Sequence, residues 1–454
     1  MKKYFIYLSI ISVIFCSCAS DVSSEVSDSA QKIKLGWATT NITPPQPVQL
    51  WGQGYERIST GVHDSLHASV MAIESASVDM QVIMVSIDVV NPAFDLQKDL
   101  RTKLSGRLSG FDLKNLFINA THTHTAPFNF DVGNPPSGVM KGSQYRDFML
   151  ARIADAVISA WDNRAPGAVG FAQGTADVGN CRVRVYQDGH AVMYGSTTSD
   201  KGSPFKEMES VPDQTVNLMY GFDANGNIKG VVVNVACPSQ VVESESVMSS
   251  DYWGEVRTQL QSRYPGITVL PQCAPAGDQV PRRPGEQCSF NILTLRATAI
   301  RNAVVSQYDH ARDSRQSAVV LKHTVLDHTL TPKPVYSSQG RYSYELHAIR
   351  IGTASFANSP FELYIDYGRS IKNQAGSTQE FLIQLSGNAD DYGQMYRISN
   401  APYPGLHYTG GGYLPTVKAV QGGAYGSQDG NGFVGPTGGD ELVNQTVSAI
   451  NSLF

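Results

Sequence analysis

Leu116-Phe117-Ile118-Asn119-Ala120-Thr121-His122-Thr123-His124-Thr125-Ala126-Pro127 begins as a strand and ends as a cluster of chemically active side chains. Five residues dominated by Leu, Phe and Ile suit a buried strand, and the run Thr-His-Thr-His-Thr follows without a break. In an extended chain, residues two apart face the same side, so both imidazoles can point into one cleft at the strand's carboxyl end. That is where α/β proteins place ligands. Histidine serves in metal ligation or in proton transfer near neutral pH, and a pair in this arrangement can supply one of each.

Around this stretch, strand-like runs rich in β-branched residues recur at 68–74, 81–90, 167–173, 215–222, 230–236 and 267–270. Helical spacing of apolar residues marks 95–108, 145–161, 251–263, 361–372 and 441–453. The mixture predicts an α/β architecture with mixed sheets. Asp223-Ala224-Asn225-Gly226 lies between two strand-like runs and reads as a hairpin, so part of the sheet should be antiparallel. No repeat or linker divides the body, which predicts one large domain from 33 to 454, with the Gly- and Tyr-rich stretch 388–439 forming long ordered loops over one face.

The chain has 454 residues, of which 41% are hydrophobic, 17% are charged and 41 are glycine, as in folded globular proteins. Its net charge of -5 and the lack of a basic run argue against nucleic acid as a partner. Lys2 and Lys3 precede an apolar run over 4–15 that is too short to span a membrane and reads as a signal peptide. Phe15-Cys16-Ser17-Cys18-Ala19 resembles a bacterial lipobox with Cys18 as acceptor. This predicts a leader over 1–18, a polar tether over 19–32, and an exported lipoprotein, periplasmic or at the cell surface, whose only membrane contact is an N-terminal lipid anchor. The other cysteines, Cys181, Cys237, Cys273 and Cys288, allow three pairings, with Cys273–Cys288 the most economical. Four unpaired, buried cysteines fit the sequence equally well.

The His-Thr-His stretch resembles the Thr-His-Thr-His-Ser-Gly-Pro-like signature of the neutral/alkaline ceramidase family of zinc amidohydrolases. Further segments are similar to that family in the same order: Gly36-Trp37-Ala38 with Asn41-Ile42-Thr43-Pro44-Pro45, Val85-Ser86-Ile87-Asp88, Asn180-Cys181-Arg182, Ser249-Ser250-Asp251-Tyr252, Ala276-Gly277-Asp278, Ser359-Pro360-Phe361-Glu362 and Gly412-Tyr413-Leu414-Pro415-Thr416. The resemblance implies the family's N-terminal catalytic-type domain, without its carboxyl-terminal immunoglobulin-like domain. It implies zinc held by His122 and Glu362, with Cys237 and Tyr408 as further candidate ligands. His124, Arg182, Tyr413 and Asp278 are the candidate catalytic residues, with Arg182 contacting the substrate.

Two positions depart from the family. Ala236-Cys237-Pro238-Ser239-Gln240 stands where a ligating histidine is expected, leaving Cys237 as the nearest replacement. Gly277-Asp278-Gln279-Val280-Pro281 carries Val280 where the family has its nucleophilic serine, which excludes serine-based chemistry there. The first expectation is therefore a zinc hydrolase of an amide or ester, using a metal-activated water, with a small-molecule, lipid or glycan substrate. A metal-free carbohydrate lyase or glycan-processing enzyme, with His124 or Tyr413 as base, is the alternative, as is a non-catalytic surface binding protein. His63 and His67 read as a turn entering a strand. Asp88, Asp251 and Asp278 are candidates to line the site, although acidic residues at such positions also serve as caps.

Overall fold

The structure, a computed structural model, describes residues 29–76, 80–93, 95–388 and 411–454. Cys18 and Tyr408 lie outside the described residues.

Eight strands form the body of the main sheet: β1 (Gln31–Asn41), β2 (His67–Ser75), β3 (Gln81–Ile87), β4 (Leu116–Ala120), β5 (Ala165–Thr175), β6 (Thr215–Asp223), β7 (Ile228–Val235) and β8 (Thr268–Cys273). Their spatial order is β8-β7-β6-β5-β1-β2-β3-β4, with Ala318–Val319 adding to β1. The pairs β3/β4 and β7/β8 are parallel and the others antiparallel. The Asp223–Gly226 turn joins β6 to β7 as an antiparallel hairpin, as its Asn-Gly pair predicts. β1 begins at Gln31, two residues inside the expected tether.

A second sheet, which the sequence reading did not delineate, consists of β9 (Leu321–Leu330), β10 (Tyr342–Ile351), β11 (Ala354–Asn358) and β12 (Gln379–Ile383), in that order. One face of the main sheet contributes Met71, Met84, Phe117, Val232 and Leu270, and the second sheet meets it with Ile349, Phe356 and Phe381. Residues one step along the same strands, such as Val70, Ala72 and Val85, face the other way and pack under α1 (Leu96–Leu104) and α2 (Gly142–Asp162). This is the period-two alternation of a strand buried on both faces. α3 (Tyr252–Arg263) and α4 (Phe290–Asp313) cover β5–β7 on that same side, while α5 (Ile365–Gln374) and α6 (Gly438–Asn451) cover the outer face of the second sheet. The result is four layers, helix, sheet, sheet and helix, around apolar interiors. Contact between α2 and β1 is close: a methyl group at Gly36 would lie 1.8 Å from the Ala160 carbonyl oxygen.

The two edges of the main sheet meet. Asn119 of β4 donates through its side-chain amide to the Pro271 carbonyl of β8 at 3.3 Å. The segment after β12 lies along both edges, with Gln384 N–H donating to Cys273 O, Ala120 N–H to Leu385 O and Gly387 N–H to Ile118 O. The loops after β4, β7 and β8 are thereby drawn together.

One carboxylate fastens the base of this region. Asp88, fully buried, accepts a two-pronged pair from Arg257 of α3 at 2.7 and 3.1 Å, the His67 N–H at 2.8 Å and the Thr121 hydroxyl at 3.2 Å. Removing the arginine would strand a charge in the interior, which costs about 3–5 kcal/mol. Urea unfolding of Arg257→Met should show a loss of that size. A loss below about 1 kcal/mol, the level of an exposed pair, would mean that Asp88 does not anchor the region.

Candidate active site

The three threonines and two histidines after β4 divide the work. Thr121 bonds to Asp88, and the hydroxyls of Thr123 and Thr125 donate to the Ser249 carbonyl at 2.7 and 2.9 Å. These buried bonds fix the segment and leave the imidazoles for the pocket. The backbone is not extended there, contrary to the expectation: His122 has φ +67°. Its N–H donates to Val89 O, and its ring Nδ1–H donates to the Val90 carbonyl at 2.8 Å, which holds this left-handed residue in place. The two rings still meet, edge to face, with centroids 4.8 Å apart.

From His122 the cluster continues through charged partners. The ring Nε2 lies 3.5 Å from Glu362 Oε2, and Arg182 NH2 lies 3.8 Å from the same oxygen. Arg182 also donates to the Tyr413 hydroxyl and to the Gly277 carbonyl, each at 2.9 Å. Glu362–Leu363 and Tyr413–Leu414 form a two-stranded parallel ribbon that places Glu362 beside Tyr413. Glu362 therefore sits in a short strand, and the helix expected over 361–372 begins only at Ile365.

His124 has a setting of its own. Its Nε2 accepts from the Gln240 side-chain amide at 2.5 Å, which assigns the ring proton to Nδ1, and Nδ1 faces Glu243 Oε2 at 3.7 Å. Arg57 donates to the His124 carbonyl at 2.6 Å, and Gly52, with φ +108°, passes so close that a Cβ would lie 2.3 Å from the ring. Burial first, then the proximity of His122, Arg57 and Arg182, holds the His124 pKa well below the ordinary imidazole value.

The structure thus brings together His122, His124, Arg182, Tyr413 and Glu362. Asp278 is placed differently: its carboxylate accepts from Ile365 N–H at 2.9 Å and from the Ser210 hydroxyl, and its carbonyl accepts the Arg182 N–H. It positions the loop and caps α5. Asp251 caps α3 and Asp88 anchors strands, so for these two the capping and anchoring roles are the ones seen. Cys237 does not join the cluster. Its side chain packs in the apolar core under α3, its S–H points to Pro238 O, and burial, followed by Cys273 and Asp251, pushes its pKa well above the usual thiol value. All four cysteines are free thiols, so the Cys273–Cys288 pairing is not formed, and three of the four are buried. His63 bonds to Asp64 and His67 opens β2, as their turn-and-strand reading expects. Gln240 and Glu243 were missed by the sequence reading, and their only signal was their position just past β7.

A catalytic zinc takes three protein ligands. Only His122 Nε2 and Glu362 Oε2 converge, the carboxylate already faces the Arg182 guanidinium, the Tyr413 hydroxyl already accepts from Arg182, and the Cys237 thiol is held protonated in the core. Among the described residues no group of three or more His, Cys, Asp or Glu could hold a metal ion. The described donor set does not fit zinc.

With helices on the outer layers, two apposed mixed sheets and the histidine loop at the end of β4, the architecture can be matched to known structures. A neutral ceramidase from Pseudomonas aeruginosa superposes with a TM-score of 0.69 over 93% of this chain and 74% of that one, at 15% identity. The chain has a neutral ceramidase-like fold. A ceramidase complexed with C2 matches equally well, with a TM-score of 0.69 at 13% identity, over 93% and 75% of the two chains. No family model and no curated protein matches the sequence. At 13–15% identity the likeness to these ceramidases is one of fold.

Two histidines should titrate in opposite directions by NMR. The His190 ring, bonded to Asp188 and Asp200, has a raised pKa and should protonate above about 6.5, whereas His124 should stay neutral well below it. Because the His124 pKa is lowered on folding, its contribution to stability is present above about pH 6.5 and is lost as pH falls. A His124 imidazolium at pH 6 would contradict this geometry.

Proposed function

We propose that this site is the acid–base centre of a hydrolase acting on an amide or ester, with no zinc in its step. The observation that carries the reading is His124, held neutral by burial and by its cationic neighbours, flanked by Gln240 and Glu243, and joined through His122 and Glu362 to the Arg182–Tyr413 pair. A water entering against Nε2 replaces the Gln240 amide and gives its proton to that nitrogen as its oxygen attacks the carbonyl carbon. The carbonyl π electrons move to oxygen, where the Arg182 guanidinium and the Tyr413 hydroxyl offset the developing charge. The His124 imidazolium, facing the Glu243 carboxylate, then protonates the leaving amine or alcohol as the carbon–nitrogen or carbon–oxygen bond breaks. No serine is required, which accords with Val280. The ceramidase-like fold supports hydrolysis over other outcomes by analogy.

A second reading is supported by Arg182 itself, whose Nε is buried without a partner. An arginine so placed suits a substrate carboxylate, and His124 would then take the proton α to it in an elimination. Reaction in heavy-oxygen water separates the two, since hydrolysis incorporates solvent oxygen and elimination leaves a conjugated, ultraviolet-absorbing alkene.

Against a panel of N-acyl and ester substrates, His124→Ala should lower kcat by about 10²–10⁴ and Arg182→Met by about 10²–10³. Chelator should leave turnover unchanged, and elemental analysis should find zinc well below one per chain. Stoichiometric zinc that disappears in folded His122→Ala and Glu362→Ala would overturn this reading and restore a metal-activated water.

Export belongs to the same proposal and rests on the leader sequence: cleavage before Cys18 and its acylation would tether the enzyme outside the cytoplasm. Cys18→Ala should move the protein from the membrane fraction to the soluble one.

A further inference from the structure

Near the His124 site lies a cleft of about 500 Å³ lined by Arg184, Arg282, Arg283, Tyr194, Val280 and Cys181, among others. Three of these side chains are cations. Arg283 is paired with Asp177 and Arg282 faces Glu243 Oε1 at 3.7 Å, while Glu286, the one acidic side chain in the lining, is taken by Arg296. Arg184 differs. It is 7% exposed, its NH1 donates to the Arg182 carbonyl at 3.0 Å, its Nε is buried with no hydrogen-bond partner, and no described carboxylate lies within ion-pair distance. A buried guanidinium without an anion is a net cost to the fold, and the planar edge it leaves open is the one that receives oxyanions.

The lining of the cleft contacts residues of the site. Tyr194 N–H donates to the Arg182 carbonyl at 2.7 Å, Arg282 stands 4.5 Å over the Tyr194 ring, and Val280 lies two residues from Asp278. Glu243 joins the two places, facing His124 through one oxygen and Arg282 through the other, each at 3.7 Å.

We infer that this cleft is a subsite for an oxyanion substituent of the substrate, a carboxylate, sulfate or phosphate held by Arg184 and Arg282 next to the bond being cut. The inference rests on the proposed function and narrows its substrate class from amides and esters in general to anionic ones. Tyr194 supplies a wall, and Val280 leaves the floor apolar where a polar side chain would compete for the arginines.

The test is calorimetry on the whole protein with glucuronate, glucose 6-sulfate and inorganic phosphate as probes and glucose as the neutral control. At least one anion should bind where glucose does not, weaken as salt rises, and lose about tenfold or more in affinity in Arg184→Met and in the more exposed Arg282→Gln. The probe that binds tightest identifies the substituent. Unchanged anion affinity in folded Arg282→Gln, or equal binding of glucose, would overturn the subsite and leave the hydrolase reading standing. Arginine-dependent anion binding in a protein that cleaves no amide or ester would do the reverse.

Discussion

The Asp88 carboxylate holds the ends of four segments at one point. It takes an N–H from the start of β2, a hydroxyl from the residue after β4 and two guanidinium N–H groups from α3, while its own backbone continues β3. A charge at zero exposure is tolerable only when its lone pairs are filled, and here each oxygen has two donors. The consequence reaches the site in one residue. Thr121 is tied down, so His122 must turn at once to reach the Val89 and Val90 carbonyls, and the left-handed backbone it adopts is set by those bonds.

A second constraint closes the pocket from the other side. The Gln384 side-chain oxygen accepts from Ala276 N–H at 3.0 Å and from Leu363 N–H at 3.1 Å, while its backbone N–H donates to Cys273. Gly277 meets Glu362 so closely that a Cβ would come within 2.3 Å of the Glu362 carbonyl oxygen. Arg182, Glu362 and Tyr413, more than two hundred residues apart at the extremes, are therefore fixed by main-chain contacts, with little left to side-chain flexibility. Preorganised donors of this kind cost nothing to reorient when charge develops beside them.

The main sheet was legible because seven of its strands are compact β-branched runs buried on both faces. β1 was not read as a strand: Gly36 and the polar residues Thr39 to Asn41 break its apolar run, and it pairs because it lies between β2 and β5. α4 was missed as well, since its buried stripe mixes Ala297, Ala303, Ala311 and Arg296 with only Leu293, Ile300 and Val304, a weak apolar signal whose helical state depends on packing over β5. β9 carries the polar runs Lys322-His323-Thr324 and Asp327-His328-Thr329 and is half-exposed along most of its length. In the site, His122 and His124 were readable from their spacing after a strand, and Arg182, Glu362 and Tyr413 only through the family resemblance. Gln240 and Glu243 were not, because their partner lies more than a hundred residues earlier and only the meeting of β4 and β8 brings it near. Cys237 shows the limit in the other direction: its position past β7 was right, but which way a side chain points after a strand ends is decided by packing.

The positions at which this chain departs from the ceramidase pattern are physically connected. Cys237 turns into the core, where a thiolate could not persist, so the third ligand direction is empty of donors among the described residues. The Arg182 guanidinium instead faces the Glu362 carboxylate that a metal would need. Val280, without a hydroxyl, borders the cleft that Arg184 and Arg282 make positive. The two departures, at Cys237 and Val280, leave in place the groups that act through charge and proton position. A fold built to converge loops on one point does not dictate which chemistry is done there. What remains here is a buried imidazole facing a carboxylate, and buried arginines with unfilled donors.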